Sequence, residues 1–169
     1  HIGGGSELEK LQKLSHKLGL TEKITWRGAQ PQNGVFEAYE NSDLFIMPSI
    51  IATDGDRDGL PNVLMEAASK KVCCIATDLP GITEFIRHDD TGWIVPSKNS
   101  RELTRSIISL SQDPAKRVRL AESANKLLVR HFSHSENVQY IIELLKSDLD
   151  TNEDVCLLYT SPSPRDLAR

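Results

Sequence analysis

An alternation constrains this chain more than any other feature. Segments with apolar residues every three or four positions alternate with short, continuous apolar runs. Leu8, Leu11, Leu14 and Leu18 mark one helical face, with Ser6-x-x-Glu9 as a capping box before it and Gly19 as its C-terminal stop. Ile24-Thr25-Trp26 reads as a strand, residues 35–39 as a short helix, and 44–47 as a buried strand stopped by Pro48. Residues 61–71 read as a helix with proline at its first position, 72–76 as a strand, 82–87 as a short helix and 93–95 as a strand. Three helices follow. Asn99-x-x-Glu102 opens the first, with Leu103, Ile107 and Leu110 on one face, and Asp113-Pro114 opens the second. Ser133-x-x-Glu136 opens the third, with Val138, Ile141, Ile142 and Leu145 as its stripe.

Strands that alternate with helices predict an α/β fold, a doubly wound parallel sheet with C-terminal helices. Ligands of such folds bind outside the carboxyl ends of the strands. The loops that matter are therefore residues 3–6, 28–33, 48–60 and 77–81.

Composition narrows the function. The 169 residues suit one domain, and 38% hydrophobic with 26% charged residues is enough to bury a core. The net charge is −4 without a basic tract, which argues against a nucleic-acid partner. No apolar stretch is long enough for a membrane span. Cys73, Cys74 and Cys156 form no C-x-x-C pattern and read as reduced thiols, the first two buried, which fits a cytoplasmic protein. His131 and His134 are close without a third ligand, so no metal site is expected. The chain opens at His1-Ile2-Gly3, with neither Met nor a signal peptide, and is expected to start partway through a longer protein. Residues 1–149 form the expected domain. Residues 150–169 have no period, resemble translated sequencing-adapter read-through, and are set aside as a disordered or artefactual tail.

The chemistry concentrates in residues 54–67, between a buried strand and a helix. Asp58 and Glu66 stand eight positions apart, with Gly59 and a helix start between them. The first N–H groups of a helix lack backbone partners and sit at the positive end of its dipole, so a diphosphate placed there finds donors and favourable charge. Leu60, Asn62 and Val63 can offer such N–H groups and Pro61 cannot. A carboxylate one turn further in, Glu66, can accept hydrogen bonds from the two adjacent hydroxyls of a ribose. A carboxylate just before the helix, Asp58, can hold hydroxyls of a sugar beyond the phosphates. A calcium loop competes for the same residues: Asp54, Asp56, Asp58 and Gly59 match the start of an EF-hand, but the twelfth position is Met65 and Pro61 interrupts the loop. An acidic solvated loop before a core helix is the plainest alternative.

Residues 58–67 resemble the E-x7-E motif of the family 4 retaining glycosyltransferases, which typically reads Glu-Gly-Phe-Pro-Asn-Val-Leu-Leu-Glu-Ala. The resemblance extends in order across residues 2–149, through Gly3-Gly4-Gly5, Ile24 to Gly28, Ser42 to Ser49, Thr77 to Glu84 and Asp90 to Pro96. It implies one Rossmann-like half of a GT-B fold, the C-terminal, donor-binding domain, with the acceptor-binding N-terminal domain outside this chain. By position, Glu66 would hold the ribose and Asp58 would contact the transferred sugar as the catalytic-site carboxylate. Gly59, Leu60, Pro61, Asn62 and Val63 would line the diphosphate and sugar, and the backbone of Gln30 would meet the base. The partner implied is a nucleotide-diphosphate sugar, with neither metal nor cofactor, in the cytoplasm or at the inner membrane face. The last helix would cross towards the N-terminal domain, leaving part of its apolar face exposed here.

Asp58 is one methylene shorter than the family's Glu, and the family's phosphate-binding Arg and Lys would precede His1. A non-catalytic nucleotide-sugar-binding or partner-docking module therefore stays open beside the transferase, as does a sugar-nucleotide epimerase of the same fold. The base, the sugar and the acceptor are not encoded in these residues.

Overall fold

Residues 73–77 hold no charged group and no exposed atom of consequence, and they form the strand around which the rest is built. In the computed structural model this strand is buried along its whole length. The structure describes residues 1–52, 55, 59–132 and 134–151, with only the backbone described at 134–137 and 147–151. The elements are α1 (Leu8–Lys17), α2 (Gln32–Glu40), β1 (Leu44–Met47), α3 (Asn62–Ser69), β2 (Cys73–Thr77), α4 (Ile82–Phe85), β3 (Trp93–Val95), α5 (Ser100–Ser111), α6 (Pro114–His131) and α7 (His134–Thr151), with a 3-10 turn at Thr21–Lys23. The chain divides into two units, His1–Leu128 and a second from Val129 onward.

The sheet order is β1-β2-β3 and both pairings are parallel, with Leu44 opposite Cys73 and Ile75 opposite Trp93. Parallel neighbours need crossover connections, and α3 and α4 supply them. Alternate side chains of β2 face opposite ways. Cys73 and Ile75 pack with Val95, Leu110, Leu120 and Ala121 in the layer built by α5 and α6. Cys74 points to the other face, where α3 lies against β2 and buries Leu64, Ala67 and Ala68. Helices thus cover both faces, as the alternation in the sequence predicts.

Side chains finish the helix ends. Asn99 caps α5 by accepting from the Glu102 amide at 3.1 Å, and Asp113 accepts from the Lys116 amide at 2.9 Å at the start of α6. Arg117 donates to the carbonyls of Leu110 and Ser111 at the end of α5 and pairs with Asp43 before β1. Asn125 donates to the Ala68 carbonyl at 3.0 Å, so α6 also closes the end of α3.

Several expectations need correction. Ser6 and Glu9 form no capping box: α1 begins after Glu7 without a side-chain cap, and Glu9 pairs with Lys13 at 2.6 Å instead. Gly19 does stop the helix, with φ +67 and the paired bonds of a Schellman turn, Gly19 N–H to His16 and Leu20 N–H to Ser15. Ile24 to Trp26 is extended but is not a strand. It meets the first residues in two parallel-type bonds, from the His1 amine to Thr25 and from the Arg27 N–H to His1, and the next bond slips by one residue to Gly28. Pro61 is the residue before α3, not its first residue. Ser133 lies outside the described residues, and α7 runs on through Thr151.

Candidate functional site

The site begins where β1 ends. Pro48 stops the strand, since proline cannot donate to a sheet ladder. Asp54, Asp56 and Asp58 lie outside the described residues, so both the sugar-contacting role of Asp58 and the calcium loop belong to residues without described placement. The path resumes at Gly59, which is exposed, and passes through half-buried Leu60 and Pro61 into α3.

Pro61 has φ −70 and ψ 128, and its carbonyl accepts from the Leu64 amide at 3.1 Å. That bond takes up the third N–H of α3. The amides of Asn62 and Val63 have no hydrogen-bond partner among the described residues, and they sit at the positive end of the helix dipole. Glu66 lies one turn further in and is half-buried, and its carboxylate has no hydrogen-bond or ion-pair partner among the described residues. The opposite face of α3 carries Leu64, Ala67 and Ala68 into the core, which fixes the direction that Glu66 faces.

Two supports fix this entrance. Tyr39, the buried residue of α2, donates its hydroxyl to the Val63 carbonyl at 3.1 Å and packs edge-on against Phe45 of β1. Burial pushes the Tyr39 phenol up to about 12, and the Glu66 carboxylate and Cys74 thiol add to the rise. On the other side, Gly81 follows β2 at φ +85, and a Cβ there would stand 2.7 Å from the carbonyl carbon and oxygen of Gly59. The loops after β1 and β2 are tied once more by Thr77, whose buried hydroxyl donates to the Ser49 carbonyl at 2.7 Å. Lys70 draws α2 and α3 together through Glu40 at 2.6 Å and the Phe36 ring.

The structure therefore brings Gly59, Leu60, Pro61, Asn62, Val63 and Glu66 together at one helix start, at the carboxyl end of a parallel sheet. Gln30 stands on a separate, exposed loop before α2, and its side-chain amide turns back to the Arg27 carbonyl at 2.7 Å. That bond uses one of the two N–H groups of the side chain. Sequence reasoning missed Tyr39; an aromatic with a polar tip on a core-facing position was the available signal. A cleft of about 210 Å³ opens nearby between Pro48, Ile50, Thr77, Val95 and Leu103. Its walls are mostly aliphatic, and none of the described motif residues lines it. Among the described residues, no group of three His, Cys, Asp or Glu could hold a metal ion, and no helix is long and apolar enough to cross a membrane.

The chain is similar to known proteins in sequence and in fold. The amylovoran biosynthesis glycosyltransferase AmsK of Erwinia amylovora is 29% identical over 146 residues, which cover 86% of this chain and 36% of AmsK. The crystal structure of Anabaena Alr3699/HepE in complex with UDP is similar with a TM-score of 0.76 at 22% identity, over 86% of this chain and 40% of that one. The C-terminal domain of a glycosyl transferase group 1 family protein (LpcC) from Francisella tularensis gives a TM-score of 0.66 at 21% identity, over 78% of this chain and 66% of that domain. These likenesses show the fold, one Rossmann-like half of the GT-B architecture. The chain spans well under half the length of AmsK and HepE. The model of the family described as glycosyl transferases group 1 matches residues 1–127, and the chain belongs to that family.

Proposed function

We propose that this chain is the donor-binding half of a retaining glycosyltransferase that uses a nucleotide-activated sugar without a metal ion, in the cytoplasm. One observation carries the reading: the amides of Asn62 and Val63 and, one turn behind them, the Glu66 carboxylate have no hydrogen-bond partner among the described residues. Such a helix start offers donors to a diphosphate, and Glu66 offers acceptors to the paired hydroxyls of a ribose. Gly59 and Leu60 lead the backbone past the sugar, and Asp58 precedes them in the sequence as the carboxylate for that sugar. Gln30 contributes backbone to the base. HepE, of similar fold, was crystallised with UDP. The acceptor binds to a part of the protein outside this chain. Catalysis then rests on positioning the donor and the acceptor and on stabilising charge on the leaving phosphate.

Titration of UDP, GDP and ADP into the protein, with Glu66→Ala alongside, tests this. Hydrogen bonds to a charged group contribute about 1.5–3 kcal/mol, so the variant is expected to bind its nucleotide about ten- to a hundredfold more weakly. In the full-length enzyme the loss appears as a raised donor KM, and chelator leaves the rate unchanged. Equal affinity in the variant would remove Glu66 from the ribose site.

A further inference from the structure

We infer that Gly81 and Tyr39 are positioning residues for the nucleotide-sugar loop, holding Gly59 and Val63 from two sides although neither is itself offered to the ligand. The inference rests on the donor-binding reading above and adds what sets the geometry of that site.

Gly81 combines two constraints. Its φ of +85 is a region that L side chains rarely adopt, and its α-hydrogen side faces the Gly59 carbonyl group. A methyl group at 81 would lie 2.7 Å from two Gly59 backbone atoms, where ordinary contact starts at 3.4 Å. Neither atom belongs to a flexible side chain, so one of the two backbones must give way. The loop after β2 is held by its own bonds: Thr77 to Ser49, the Asp78 amide to Val95, and the Asp78 carboxylate from the Ser97 amide at 2.6 Å. Gly59, by contrast, is exposed, and a Cβ on it would meet nothing within 4 Å. The displacement therefore falls on Gly59, where the described chain resumes before α3.

Tyr39 acts from beneath. Its hydroxyl adds a second donor to a carbonyl in the first turn of α3, and its ring is wedged against Phe45. Removing the hydroxyl leaves the ring packing intact and frees that turn from its anchor on α2. The two contacts therefore bracket the loop: one limits how far Gly59 retreats towards the sheet, and the other fixes where the Val63 turn sits.

The test uses Gly81→Ala and Tyr39→Phe in the full chain, read first by backbone amide NMR without ligand. Gly81→Ala should shift the Gly59 and Leu60 amides, and Tyr39→Phe should speed exchange of the Leu64 amide, the bonded N–H of the α3 first turn, with both proteins melting cooperatively. Nucleotide affinity is read next. Losing one hydrogen bond to a charged diphosphate changes affinity about ten- to a hundredfold, so Gly81→Ala is expected to weaken binding by that much and Tyr39→Phe less. Unmoved amides, or moved amides with unchanged affinity, overturn the inference while wild-type binding leaves the donor reading standing. A wild-type protein that binds no nucleotide overturns the donor reading, and the positioning role falls with it. If Gly81→Ala does not fold, Tyr39→Phe decides alone by the same two readouts.

Discussion

Thr91 shows how much one small residue can hold. It is buried, its hydroxyl donates to the Phe85 carbonyl at 2.6 Å, and it accepts from the Arg87 amide at 2.8 Å, closing the turn that delivers the chain to β3. Thr91→Val keeps the shape and deletes both bonds, so the domain should lose about 1–3 kcal/mol in urea unfolding, with Thr91→Ser much milder. A midpoint unchanged by Val would mean that the turn is held by packing alone. At this scale the sequence was most legible where a residue acts through its own spacing. Asp58 and Glu66 stand out because they sit eight positions apart across a helix start with Gly59 between them, and the described members of that set, Gly59 and Glu66, share one entrance. Gly81 was recognised only as a cleft loop, and Tyr39 not at all. Their partners are the backbones of Gly59 and Val63, and a backbone carbonyl has no letter in a sequence.

Elements were legible in proportion to how local their causes are. The helix α5 was read with its cap because Asn99, Glu102 and the face of Leu103, Ile107 and Leu110 are all local signals, and the cap bond is present. Asn99→Ala should lower stability by about 1 kcal/mol, measurable as a lower Tm, while Asn99→Asp retains most of it. At α1 the same kind of signal misled, because Glu9 has Lys13 one turn away and ion pairing outcompetes reaching back to an amide. Ile24 to Trp26 has strand composition, but a strand needs a continuous ladder, and the slip at Gly28 (φ +64) breaks it. Strand β2 was read one residue early, since Val72 is as buried and apolar as the residues after it.

The periodicity of the chain gives the architecture but not what covers each face. The leucine stripe of α1 is a helical face, yet Leu11, Leu14 and Leu18 are 44%, 50% and 60% exposed. In the second unit Ile141 and Leu145 of α7 are 54% and 58% exposed. Periodicity reports that a face is apolar, and burial requires a neighbour that the same residues do not encode. The core also sets a pH limit for the whole unit. Burial pushes the Cys73 thiol up to about 11 and the Tyr39 phenol to about 12, and raises Cys74 further still. Raised values mean that the folded state prefers these groups neutral. Their contribution is therefore complete below the unfolded values of 9.0 and 10.0 and is lost as pH rises through the folded ones. Urea midpoints should fall from about pH 9 to about pH 12, and Tyr39→Phe should flatten the upper part of that fall. The crossover from β1 to β2 has a kinetic consequence. Neighbouring parallel strands pair only after the intervening chain has closed a long loop, and such non-local contacts make folding slow. Here the intervening chain is residues 48–72, which include α3. The polypeptide cannot complete its sheet without closing this crossover, so sequence changes that slow the closure slow the sheet.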